Sequence, residues 1–110
     1  MSNIDLSQLV TAEDKAAAEA EAIRVAVTAA IDAHVEATAR SRNYNSAAAL
    51  AGYVASTVGP WAAEAQAFVA WRDSVWQAAF AMLADVQAGE RAAPSPAEAV
   101  AEIPDITWPE

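Results

Sequence analysis

Side chains able to do acid, base or metal chemistry are few in this chain and thinly spread. His34 is the single histidine, with Asp32 and Glu36 two positions before and after it. Ligands on one helix must sit three or four positions apart to share a face, so this trio is not expected to hold a metal. Glu19 and Glu21, and Glu98 and Glu102, form carboxylate pairs, but no second group stands beside them to shift their ionisation, and they read as a solvated face. Arg72 follows Phe68 and precedes Trp76 by one helical turn each, which brings its guanidinium within reach of an aromatic face. The absence of cysteine excludes disulfides, thiolate metal sites and thiol nucleophiles. No glycine-rich phosphate loop, His-Glu-x-x-His pair or nucleophile elbow occurs. The expectation is a non-enzymatic protein with no cofactor, no metal and no catalytic residue.

The elements that position these residues draw on an alanine-rich composition. Of 110 residues 32 are alanine, so the 55% hydrophobic content overstates the core. Tryptophan and phenylalanine each remove about 150–250 Å² from water, and Phe68, Trp71 and Trp76 fall within nine positions. That knot is the expected anchor of the core. A net charge of −9 without any basic cluster disfavours nucleic acid. The N-terminus lacks a basic and apolar leader pattern, and no run of eighteen uncharged apolar residues occurs. A soluble product made in the cytoplasm, without membrane contact, is expected.

Punctuation divides the chain into an N-terminal arm at 1–10, a helical domain at 11–90 and a proline-rich C-terminal arm at 91–110. Ile4, Leu6, Leu9 and Val10 lack a sustained helical stripe and suit a short extended arm or a docking segment. Thr11 is the predicted cap of a first helix over about 12–40, which meets no glycine or proline. Residues 41–46 read as a turn, with Asn45 or Ser46 capping a short helix over about 47–58. Gly59-Pro60 breaks it and opens a third helix over about 60–88, stopped by Gly89. A capped turn of helix is predicted at 96–101, and Ile103-Pro104-Asp105-Ile106-Thr107-Trp108-Pro109 cannot be regular helix. The predicted fold is all-α: a long helical hairpin or three-helix bundle with an extended C-terminal arm.

Each long helix carries one seam. Trp61, Ala65, Phe68, Arg72, Val75, Ala79, Met82 and Val86 keep a four-three spacing. Ala16, Ala20, Ile23, Val27, Ala30, His34 and Ala37 do the same in the first helix. Arg72 and His34 are the polar members, read as register-setting groups rather than ligand sites. Trp71 and Trp76 flank the seam and either seal the core or touch another chain. The predicted partner-binding residues are Trp71, Trp76, Ile103, Ile106 and Trp108. Alanine seams serve intramolecular hairpins and intermolecular bundles alike, so a homo-oligomer stays open, as does parallel or antiparallel packing.

The stretches Ala37-Thr38-Ala39-Arg40-Ser41-Arg42-Asn43-Tyr44-Asn45-Ser46, Tyr53-Val54-Ala55-Ser56-Thr57-Val58, Phe68-Val69-Ala70-Trp71-Arg72-Asp73-Ser74-Val75-Trp76 and Ile103-Pro104-Asp105-Ile106-Thr107-Trp108-Pro109 resemble small Ala/Trp-rich helical proteins encoded beside tail-fibre genes of tailed bacteriophages and prophages. The resemblance covers about 11–109; its Trp-Arg-Asp block and its Pro-x-x-x-Trp-Pro ending are the specific parts. It implies a structural protein of the virion tail that binds tail-fibre or tail-tip protein, present in the host cytoplasm during assembly. Two alternatives accompany it: a tail-fibre assembly chaperone absent from the virion, and a phage regulatory protein binding a host factor by its acidic face.

Overall fold

In the computed structural model the backbone is described for residues 2–110 and the side chains for residues 11–110. Four helices follow one another: α1 at Ser2–Arg40, α2 at Ala47–Ala51, α3 at Gly59–Gln87 and α4 at Pro96–Glu102. No strand occurs among the described residues, and the all-α expectation holds. Helix α1 begins at Ser2 instead of after Thr11, which corrects the extended N-terminal arm. Neither glycine nor proline interrupts 2–40, so a cap at Thr11 has no break to serve. The side chains of Ile4, Leu6, Leu9 and Val10, read as a docking segment, lie outside the described residues.

Both long helices end in the same way. Asn43 adopts φ 72°, its N–H donates to the Arg40 carbonyl, and the Tyr44 N–H reaches back to Ala39. Gly89 at φ 75° repeats the pattern, with Val86 accepting its N–H and Asp85 that of Glu90. Each left-handed residue thus satisfies two carbonyls that the helix end leaves unpaired. Asparagine tolerates this conformation better than other residues with a Cβ, which explains how α1 stops without glycine. Helix α2 ends at Ala51, seven residues short of its predicted limit. Gly52 and the run Tyr53-Val54, poor in helix propensity, leave irregular turns up to Val58. Its start is the expected one, with the Ser46 hydroxyl accepting the Ala49 N–H at 2.9 Å.

Helices α1 and α3 pack together as an antiparallel pair. The C-terminal end of α1 lies by the start of α3, where the Tyr44 hydroxyl donates to Glu64 at 3.1 Å. Farther along, the His34 and Trp71 rings meet edge to face at 5.9 Å. The third layer is α4 rather than the short middle helix: it lies close on α1, with Ala99 wholly buried. Leu50 of α2 is also fully buried, so α2 closes the end of the hairpin.

The core stripe of α1 differs from its seven-residue seam, while α3 keeps Ala65, Phe68, Val75 and Met82 of its seam in the core. In α1 the interior row is Ile31, Val35 and Ala39, with Val27 packed against it; Ile23 is 43% exposed and Ala37 is exposed. This row has four-residue steps because α1 receives α3 and α4 on adjoining faces, so its apolar band is wider than a two-helix seam. In α3, Trp71 replaces Arg72 in the interior, and Trp61 is 45% exposed. Positions 71 and 72 both fall within a helix's apolar band. The ring takes the interior and the guanidinium stays at the border, since an unpaired buried charge is costly.

The segment after α4 is extended and docked. Ile103 is buried, the Trp71 indole N–H donates to the Pro104 carbonyl at 2.8 Å, and Trp108 stacks on Phe68 with 8° between planes and 6.4 Å between centroids. The arm therefore completes the core where the aromatic knot would otherwise face water.

Candidate functional site

Two surface features at opposite ends of the hairpin stand apart from the rest. The first is a hollow of about 290 Å³ at the α1–α2–α3 end, lined by Arg42, Asn43, Tyr44, Tyr53, Trp61 and Glu64 among others. Its rings form a chain: Tyr44 and Tyr53 centroids lie 5.8 Å apart, Tyr53 and Trp61 5.4 Å apart and nearly edge on. The left-handed turn at Asn43 brings Tyr44 back over α3, and Pro60 starts α3 so that Trp61 emerges beside Tyr53. Glu64 sits at the base, accepting from Tyr44 and facing the Arg42 Nε at 3.4 Å. Burial, followed by the hydrogen bond to this carboxylate, holds the Tyr44 phenol above its ordinary value. The Arg42 guanidinium also lies over the Trp108 ring, 4.8 Å from its centroid. Tyr53 and Trp61 of its lining, and Val54 and Val58 in the chain segment between them, are between 37% and 45% exposed, so large apolar groups meet water next to a paired Arg and Glu.

The second feature is an apolar groove of about 610 Å³ between α1 and the second half of α3. Helix α1 contributes Ala17, Ala20, Ile23 and Val27, and α3 contributes Trp76 and Phe80 with neighbours of the same row. Next to the groove, Ile31 of α1 and Val75 of α3 are wholly or almost wholly buried in the shared core. Toward Ala17 and Ala20 the α1 wall carries only methyl groups, and both residues are exposed. Phe80 on its wall is 66% exposed.

The residues singled out by sequence are dispersed among these places. Trp71 and Ile103 are core members at 6% exposure each, which corrects their reading as partner contacts: the chain covers both itself. Ile106 and Trp108 are half-buried and packed on that core. Trp76 alone of the five lies on a groove wall. Half-buried His34 is occupied by its contact with Trp71, and among the described residues no group of three His, Asp or Glu could hold a metal ion. Arg72 faces Asp73 at 3.3 Å, and the guanidinium on an aromatic face is that of Arg42.

The carboxylate pairs have local tasks. Glu21 is held below the ordinary glutamate value chiefly by its hydrogen bonds from Arg24. Glu98 is lowered by the backbone N–H and then the hydroxyl of Ser95, in a capping box at the start of α4. Glu102 is lowered by the two-pronged Arg91 contact at 2.8 and 2.7 Å. Glu36 accepts the Ala47 N–H at 3.1 Å, tying α2 to α1.

Sequence reasoning missed both features. Tyr44, Tyr53 and Trp61 are spaced eight or nine apart across two turns, a separation without meaning until the turns close. The groove had a legible trace, since Trp76, Phe80 and Leu83 form a second apolar row beside the seam of α3. No helix among the described residues is long and apolar enough to cross a membrane. Neither a family model, nor a curated protein, nor a solved structure matches this chain.

Proposed function

We propose that this is a non-enzymatic structural protein of a bacteriophage tail that binds a tail-fibre or tail-tip subunit through the patch around Tyr53, Val58 and Trp61. The observation that carries the reading is that patch: large apolar groups left in water beside Arg42 and Glu64 at the closed end of the hairpin. Tryptophan, tyrosine and arginine are the residues most enriched among those that dominate protein interfaces. Contiguous exposed apolar surface of this kind marks a contact site. The tail assignment rests on the sequence resemblance, and the patch supplies a contact surface suited to it.

The test has two arms. Mass spectrometry of salt-washed particles should find the protein in fixed ratio to the major tail protein. Its presence in lysate together with absence from particles would replace the virion role with that of an assembly chaperone. In the second arm, Trp61→Ala should weaken binding to the purified fibre or tip subunit at least tenfold, about 1.4 kcal/mol. Unchanged affinity would remove the patch from the contact. Binding to a host factor that fades steeply with salt would instead favour the regulatory role.

A further inference from the structure

We propose that the hollow at the α1–α2–α3 end is a binding site for a neutral carbohydrate, with one sugar ring seated against Trp61 and Tyr53 and its hydroxyls held by Asn43, Asn45 and Glu64. The inference does not rest on the tail assignment, since free sugars test it with no partner protein present.

Size and shape set the scale of the ligand. At about 290 Å³ the hollow lies at the lower edge of small-molecule sites, which run from about 300 to 1,000 Å³. One ring-sized group fills it. Its aromatic wall is bent, with 47° between the Tyr44 and Tyr53 planes and 65° between those of Tyr53 and Trp61. Trp61 keeps 45% of its surface in water. A sugar ring is apolar on its C–H faces and polar at its rim, and the negative face of an aromatic ring attracts those C–H groups.

Charge selects among ligands of that size. The charged residues of the lining are Arg42 and Glu64, and the Arg42 Nε faces the Glu64 carboxylate at 3.4 Å. A cation entering between the rings would meet the guanidinium, and an anion would meet the carboxylate, so like-charge repulsion opposes both. Aromatic rings often gather around an ammonium group, but here Arg42 already brings a positive charge to the site. A neutral ligand meets no such opposition.

The remaining polar groups are those that hydroxyls need. Asn43 and Asn45 are exposed, and neither side-chain amide has a hydrogen-bond partner among the described residues. Each amide offers two donor hydrogens and an acceptor oxygen, and each sugar hydroxyl donates one hydrogen bond and accepts others. The Glu64 carboxylate has about four acceptor positions, of which the Tyr44 hydroxyl takes one. Donors and acceptors thus stand together beside an apolar ring face, the pattern that a sugar presents in complement.

The test is nitrogen-15 NMR of the full chain titrated to 50 mM with glucose, galactose, mannose and N-acetylglucosamine in turn, following the indole N–H of Trp61. At least one sugar should move that signal with a dissociation constant of about 1 mM, near the weak end for a ligand of about a dozen heavy atoms. The indole of Trp71, bonded to the Pro104 carbonyl, should stay in place. Trp61→Ala should weaken binding at least tenfold, read from the Tyr53 signals, with helical circular dichroism unchanged. Asn43→Gly keeps the left-handed turn, which glycine accepts, and removes the amide; it and Asn45→Ala should each weaken binding about fivefold. Phe80→Ala, outside the hollow, should change nothing. An unmoved Trp61 with all four sugars would overturn the proposal, as would binding indifferent to both asparagine variants. Choline or inorganic phosphate binding as tightly as the best sugar would overturn the selection of a neutral ligand.

Discussion

Trp71 shows how much one side chain can decide. Its ring fills the space between α1 and α3, and its N–H holds the Pro104 carbonyl at 2.8 Å, so a single residue joins hairpin to arm. Trp71→Phe keeps most of the apolar area but removes the donor. It should cost about 1–3 kcal/mol, the range for a lost hydrogen bond that strands its buried partner. Urea unfolding would measure the loss, and faster proteolytic cleavage after Ile103 should accompany it.

Glu98 and Glu102 act at the same scale. Both have folded values below the ordinary glutamate value, the first through Ser95 and the second through Arg91. Depressed carboxylates contribute stability that is complete above about pH 4.3, their unfolded value, and that is lost as pH falls through the folded values. The thermal midpoint should therefore drop on acidification below that point. Ser95→Ala should remove about 1 kcal/mol at neutral pH and flatten the Glu98 part of the acid response. An identical acid profile in that variant would show that the cap is not its source.

Among the elements, the C-terminal segment changes meaning most. Read from sequence, Ile103, Ile106 and Trp108 look like an arm awaiting a partner, and its deletion ought to leave the helices intact. In the fold, α4 lies against α1, Ile103 is buried, and Trp108 stacks on the wholly buried Phe68. Deleting residues 103–110 should instead cost about 3–5 kcal/mol, the scale of losing one large buried side chain and part of another. Domains of this size have only about 5–15 kcal/mol in total, so the denaturation midpoint should fall by a large fraction. A truncated protein with an unchanged midpoint would return the segment to the role of a free arm.

The whole molecule is 73 Å long and about 25 by 21 Å across, with a radius of gyration of 19.4 Å. A compact chain of this length would have a radius near 13 Å. That shape follows from a 39-residue helix in which residues 11–26 are exposed throughout and the buried positions begin at Ile31. The chain in dilute solution should scatter X-rays with a radius close to 19.4 Å. Amide exchange over the exposed residues 12–26 should be fast and over residues 27–39 slow, since the buried row of α1 lies in the latter stretch. Compact scattering would mean that the exposed part of α1 folds back.

Local chemistry was enough to determine the helical class, the stops near Arg40 and Gly89, the Ser46 cap and the anchoring weight of the aromatic knot. Each depends on a residue and its near neighbours: proline lacking a donor, glycine accepting positive φ, a hydroxyl three positions before an amide. The hollow and the groove were not legible in that way. Tyr44, Tyr53 and Trp61 become one wall only after two turns close, and the groove forms only when the antiparallel pair sets the Ala17 and Ala20 row of α1 and the Trp76 and Phe80 row of α3 along the same gap. Periodicity placed Arg72 and His34 on the seams, but only tertiary packing could choose Trp71 over Arg72 and the row of Ile31, Val35 and Ala39 over that of Ala30, His34 and Ala37. A helix with neighbours on two faces buries a band wider than any one repeat describes. The same packing made the arm part of the core, because the Phe68 face left open by two helices needed a third cover, and Trp108 was within reach.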